Sequence, residues 1–304
     1  MSKKAKQKVT FGDWVSGARL RTLPLAVSPV AVGFGVASVM QAESLGLALL
    51  ALAVSLSLQI GVNFANDYSD GIRGTDDFRV GPPRLTGSGR VEPKLVRNAA
   101  FAAFVIAGLA GLAIVLLTGL WWLTLVGAAC VVAAWFYTGG KRPYGYAGLG
   151  EIFVFVFFGL VATFGTAAIQ VPHFFSSADG LIWTTGAAIA VGLFASAVLM
   201  INNIRDIDTD ISAGKKTLAV LVGRKFAKTL YLVFLWTPLA LLYPYTLVFQ
   251  HTVFAYLTAF VIVPLTLIVI TAKTAPEYIL ALKLTSYTAL GYALLLTYGL
   301  VVIV

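Results

Sequence analysis

The residues of this chain with types and spacing suited to chemistry lie in two short polar runs. One is Asn63-Phe-Ala-Asn66-Asp67-Tyr-Ser-Asp70; the other is Asn202-Asn203-Ile-Arg205-Asp206-Ile-Asp208-Thr-Asp210. Asn63 and Asp67 recur as Asn202 and Asp206 at a constant offset of 139 residues. Each pair is spaced i, i+4 and so shares one helix face. The ligands on offer are carboxylate and amide oxygens, with no His or Cys nearby. Such hard oxygens select Mg²⁺, Mn²⁺ or Ca²⁺ over zinc or copper. Mg²⁺ takes one or two carboxylates and completes its shell with substrate phosphates, so two clusters facing one cavity suit two ions clamping a diphosphate. The carboxylates on offer as metal ligands are Asp67 and Asp70 in the first run and Asp206, Asp208 and Asp210 in the second.

The segments after the clusters carry the complement. Gly81-Pro-Pro-Arg84-Leu-Thr86-Gly87-Ser88-Gly89-Arg90, Gly214-Lys215-Lys216-Thr217 and Gly139-Gly140-Lys141-Arg142 are Gly-broken and basic. They can offer Arg84, Lys215, Lys141, Arg142 and backbone N–H groups to an anion. The same residues are also explicable as topology determinants. Arg205, inside an acidic run, and Lys141, just past Tyr137, fit that plainer reading least. Gly81–Gly89 is no dinucleotide fingerprint, because no strand precedes it.

The elements that must position these groups are membrane helices. Mean hydropathy is +0.89 and charged residues make up 12% of the chain, where about 25% is usual in a soluble domain. Apolar stretches long enough for a ~30 Å hydrocarbon core recur at about 23–40, 46–65, 98–117, 120–137, 149–171, 181–201, 229–248, 253–272 and 284–304. The expectation is an all-α bundle of nine transmembrane helices in one domain over 1–304, led in by a cytoplasmic tail at 1–22. All 22 Lys and Arg residues fall in the N-terminal segment and in alternate loops. The positive-inside rule then places the N-terminus and both acidic clusters in the cytoplasm. A net charge of +9 is thereby a topological signal that also suits anionic headgroups, and nothing calls for nucleic acid. Helices 2 and 6 point their C-terminal ends at the cytoplasm, where the dipole is already negative. Carboxylates gathered there need a compensating cation. Cys130 is alone in an apolar stretch, and His173 and His251 fall in outer loops away from the clusters.

Over essentially its whole length the sequence resembles the UbiA superfamily of intramembrane prenyltransferases, with aspartate-rich motifs after helices 2 and 6. The resemblance implies two Mg²⁺ ions holding a polyprenyl diphosphate. By position, Asn63, Asn66, Asp67 and Asp70 match the first motif, and Asn202, Asn203, Asp206 and Asp210 the second. Tyr137, Lys141 and Arg142 match the tyrosine and basic pair that face the diphosphate. Where relatives that use monocyclic aromatic acids carry a third aspartate, this chain has Gly74. Asn66 through Asp77, Ala18–Pro24, Pro143–Glu151 and Asn202–Ala219 are similar instead to the naphthoate branch. That similarity implies transfer of a polyprenyl chain to 1,4-dihydroxy-2-naphthoate in a prokaryotic plasma membrane, with loss of CO₂ and diphosphate. Arg21, or its neighbour Arg19, is the expected partner of the acceptor's carboxylate, and Asp70 or Asp76 a candidate base. Alternatives are another acceptor (4-hydroxybenzoate, homogentisate or a sugar phosphate) or a polyprenyl-phosphate transporter.

Overall fold

The computed structural model describes residues 9–75 and 84–302, and among them there is no strand. Helix α1 (Phe11–Ala18) starts from a capping box between Thr10 and Asp13 and stops at Arg19, which turns left-handed at φ 55°. After a 3₁₀ turn at Leu20–Thr22, α2 (Pro24–Val39) departs at 49° to the first segment. Then follow α3 (Leu45–Arg73), α4 (Pro93–Thr118) and α5 (Leu123–Phe136). Helix α6 (Gly150–Val154) runs through a π-helical stretch at Phe155–Val161 into α7 (Ala162–Ala168). The chain closes with α8 (Ala178–Ser212), α9 (Leu218–Val248), α10 (Ala259–Thr271) and α11 (Ala275–Val301).

Seven helical bodies of the described residues are long and apolar enough to cross a membrane. The bent α1–α2 pair makes an eighth candidate. The expected span at 120–137 is the short one: Trp121 and Trp122 form a turn and α5 starts only at Leu123, giving 14 residues. The expected span at 229–248 starts earlier, because α9 begins at Leu218 and absorbs a kink at Gly223 (φ 78°).

Helix α8 is the axis of the bundle, packed by α2, α6, α9 and α11. Its Phe194, Met200, Ile201 and Ile204 are fully enclosed, with Tyr231, Leu235 and Leu242 of α9 and Tyr292, Leu296 and Leu300 of α11. Leu109, Leu116, Leu125, Phe260 and Leu267 on the outer helices are exposed. A surface of that kind is stable against lipid tails rather than water. The π-helical stretch meets α8 at bare backbone. A Cβ on Gly159 would lie 2.5 Å from the Gly192 Cα, so both positions admit only hydrogen at this crossing.

At 1.5 Å per residue, α3 and α8, 29 and 35 residues long, measure about 44 and 52 Å. Both exceed a ~30 Å hydrocarbon core. Their acidic last turns therefore reach its edge, where charge is less costly than at the centre.

Candidate active site

Both polar runs are helical to their ends, which sets the direction of each side chain. Asp70, Asn66 and Asn63 of α3 face Asn202, Asn203, Asp206 and Asp210 of α8 across one cavity of about 880 Å³. The two helix ends meet at Lys215. Its Nζ lies 3.6 Å from Asp70 Oδ2 and 3.9 Å from Asp210 Oδ1. Arg84 adds a second cation 3.5 Å from Asp70 Oδ2, and Thr217 Oγ1 donates to Asp210 at 3.5 Å. The four charges balance in a buried setting, which is the condition for keeping carboxylates there at all.

Tyr146, on the 3₁₀ turn Tyr144–Tyr146, ties this cluster together. Its hydroxyl donates to Asp70 Oδ1, while its ring lies under Lys215 (4.7 Å) and Arg73 (5.5 Å). Burial, and after it the charge of Asp70, pushes the phenol above its ordinary range, so it stays a proton donor. Arg73 also donates to the carbonyls of Thr138 and Gly140, and Thr138 Oγ1 donates to Asn66 Oδ1 at 2.7 Å. The loop after α5 is thus fastened to the end of α3.

From this polar end the cavity continues as an apolar arm between α3, α4, α5 and α7. It reaches Ala51 of α3, nineteen residue steps from Asp70, or about 28 Å. Gly108, Gly127 and Gly165 line it, and a Cβ at any of them would meet nothing within 4 Å. One wall is aromatic: Tyr144 stacks on Phe153 at 4.0 Å and Phe153 on Phe157 at 6.1 Å. A third, mixed region lies under the α1–α2 bend, where Arg19, Thr22, Gln59 and Asn63 reach the cavity. Asn63 Nδ2 donates to Ala18 O (2.9 Å) and Thr22 Oγ1 (3.2 Å), and Gln59 Nε2 to Thr22 Oγ1 (3.0 Å). These bonds hold the N-terminal segment over the site.

The model of the UbiA prenyltransferase family matches residues 26–279. The chain belongs to the UbiA prenyltransferase family. It is 52% identical to the 1,4-dihydroxy-2-naphthoate octaprenyltransferase of Mycobacterium tuberculosis over 223 residues, 73% of this chain and 74% of that one. An apo structure of a UbiA homolog from Aeropyrum pernix superposes with a TM-score of 0.67 at 20% identity, covering 91% of this chain and 97% of that one. A UbiA homolog from Archaeoglobus fulgidus bound to GPP and Mg²⁺ gives 0.65 at 15%, covering 96% and 100%. At those identities the two structures establish the fold alone.

Of the residues expected to form the site of this UbiA prenyltransferase, Asn63, Asn66, Asp70, Arg84, Tyr137, Asn202, Asn203, Asp206, Asp210 and Lys215 line the cavity. The others stand elsewhere. Asp67 is turned away from it, and its two oxygens accept the backbone N–H groups of Leu85 and Thr86 at 2.8 Å each. Arg205 is buried outside the lining, where it chelates the carboxylate of Asp206 (2.7 and 2.6 Å) and donates to Asn202 Oδ1 (2.9 Å). These bonds tie it to the second motif. Lys141 and Arg142 are exposed and outside the lining, as short glycine-rich backbone carries them away from Tyr137. Arg21 is half-buried and does not reach the cavity, whereas Arg19 does, because the left-handed residue 19 reverses the chain between them. Asp208 is exposed and pairs with Arg224 at 2.9 Å. Asp76 lies outside the described residues. No group of three or more Asp, Glu, His or Cys is gathered in metal-binding proximity among the described residues. The oxygens present still fit a hard divalent cation: the carboxylates of Asp70 and Asp210 with the amide oxygen of Asn203, and no softer ligand, while the amide oxygens of Asn66 and Asn202 accept from Thr138 and Arg205. Tyr146, Gln59, Thr22 and Thr138 are among the polar cavity residues that the sequence does not single out. The signal for Tyr146 was its place in Pro143–Glu151, read only as a branch marker.

Proposed function

We propose that the chain transfers a polyprenyl group from its diphosphate to 1,4-dihydroxy-2-naphthoate, giving the hydroquinone form of demethylmenaquinone with release of diphosphate and CO₂. The observation that carries this is the single cavity with a charged end, an apolar arm about the depth of a hydrocarbon core, and a mixed polar region under Arg19. The name of the half-identical mycobacterial relative supports the acceptor.

The diphosphate belongs at the charged end, where Lys215 and Arg84 offer cationic hydrogen bonds. Asp70 on one helix, and Asp210 and Asn203 on the other, would hold the divalent metal, with two ends suiting two Mg²⁺ ions. Bound there, Mg²⁺ supplies Lewis-acid charge to the leaving group's oxygens. Breaking the allylic C–O bond sends the electron pair out with diphosphate and leaves a cation on the chain. The aromatic wall of Tyr144, Phe153 and Phe157 presents π-faces to that charge. The apolar arm keeps water from it. The electron-rich ring attacks, a C–C bond forms, and the carboxylate departs as CO₂, returning its bonding pair to the ring. Arg19, with Thr22 and Gln59, receives the acceptor's polar groups.

Purified protein given Mg²⁺, a polyprenyl diphosphate and one acceptor at a time tests the choice. The naphthoate is expected to outpace 4-hydroxybenzoate by two or more orders of magnitude in kcat/KM, since polar partners left without their match cost several kcal/mol. Efficient prenylation of 4-hydroxybenzoate with no naphthoate product would overturn the acceptor and leave the family unchanged.

The orientation follows from the basic loops: active site and N-terminus in the cytoplasm of a prokaryotic plasma membrane, nine spans in all if α1–α2 and α5 both cross. In a Cys130→Ala background, Ser88→Cys is expected to label from the cytoplasmic side and Ser176→Cys from the other, both positions being exposed. Labelling of both from one side would refute this topology.

A further inference from the structure

Glu151 is the second residue of α6, and it is 3% exposed. Acids so enclosed in a membrane bundle are costly and are kept for a reason. Among the described residues, Asn203 is the side chain bonded to the Glu151 carboxylate. Its Oε1 accepts a 2.9 Å hydrogen bond from Asn203 Nδ2, and its Oε2 has no partner there. Ser196 Oγ donates to the Glu151 carbonyl at 3.0 Å, so both backbone and side chain of this residue are clamped to α8. Glu151 does not line the cavity; Asn203 does.

The consequence lies in the two ends of a carboxamide. With Nδ2 held by Glu151, Oδ1 is the end of Asn203 left to the cavity, and no described residue donates to it. We infer that Glu151 is a positioning residue that sets the orientation of the Asn203 amide, so that the second motif offers an oxygen rather than an N–H₂ group to the site. The inference rests on the reading of that site as one that binds a prenyl diphosphate with a divalent cation. An amide turned the other way would point donor hydrogens at the cation and lose a ligand. Partners that orient ligands in this manner are worth ten- to a hundredfold in metal affinity.

The test uses the full chain in detergent with a thiolodiphosphate analogue of geranyl diphosphate, and follows the thermal midpoint as Mg²⁺ is titrated. Glu151→Leu is expected to raise the Mg²⁺ concentration at half-effect about ten- to a hundredfold. Glu151→Gln keeps an acceptor for Asn203 and is expected to stay within about threefold of wild type. A second pair does not depend on the leucine variant folding. Asn203→Asp sets acid against acid, and adding Glu151→Gln supplies a donor, so the double variant is expected to bind Mg²⁺ more tightly than Asn203→Asp alone. Equal Mg²⁺ midpoints for wild type and Glu151→Leu, or for Asn203→Asp with and without Glu151→Gln, would overturn the inference. A wild type with no Mg²⁺-dependent shift at all would instead overturn the reading of the site.

Discussion

Replacing Asp70 with Asn is expected to lower turnover by about 10²–10³-fold while leaving the protein folded, because Asp70 is where the charged contacts of the cavity converge. Its carboxylate takes Arg84, Lys215 and the Tyr146 hydroxyl, and it is the acidic group of α3 that faces α8. Losses of that size accompany removal of one preorganised electrostatic contact from a transition state in which charge develops. The amide keeps the shape and one acceptor oxygen, so packing is preserved. Asp67→Asn should behave differently. Both oxygens of Asp67 hold backbone N–H groups, and an Asn can satisfy only one of them while setting its own N–H₂ against the other. The cost there is about 1–3 kcal/mol of stability, seen as a lower thermal midpoint before any loss in kcat. Steady-state kinetics and melting curves on the two variants separate the roles. A near-normal kcat for Asp70→Asn with Mg²⁺ present would remove Asp70 from the chemistry.

The second large effect is expected at Lys215. Its side chain is 11% exposed and stands between carboxylates that are 4% and 12% exposed. Lys215→Met leaves Asp70 and Asp210 facing each other with Arg84 alone to compensate. Breaking a buried ion pair at one partner costs about 3–5 kcal/mol, so the variant is expected to melt well below wild type in a chelator. Divalent metal supplies the missing charge, so Mg²⁺ should recover more of the midpoint in the variant than it adds to wild type. Turnover should stay low even so, because the diphosphate has lost one of its cationic partners. Equal melting of the two proteins in chelator would show that Lys215 compensates nothing.

Much of this arrangement was legible from the residues. The alternation of loops with and without Lys and Arg carries the expected orientation, and the 139-residue repeat names the two helices whose ends meet. Spacing did not reveal the division of labour within each run. The i, i+4 rule singled out Asp67 and Asp206, yet the first is satisfied by a turn eighteen residues on and the second by its own neighbour Arg205. Which aspartate faces a cavity depends on helix rotation, and rotation is set by packing partners that one sequence does not display. Lys141 and Arg142 stand outside the cavity lining for a related reason: adjacency to Tyr137 along the chain does not survive two glycines, the second at φ 75°. Tyr146 and Glu151 were passed over because a lone tyrosine in a loop and a lone glutamate at a helix start carry no periodic signal. Only the fold brings them against Asp70 and Asn203.

The most direct measurement is the fate of the acceptor's carboxylate. Purified protein is given Mg²⁺, a polyprenyl diphosphate and 1,4-dihydroxy-2-naphthoate labelled with ¹³C in its carboxyl group. The expected result is one labelled CO₂ and one diphosphate for each prenylated hydroquinone formed, all three lost together in Asp70→Asn. Prenylated product that retains the label, or diphosphate release with the naphthoate unchanged, would contradict the proposed reaction.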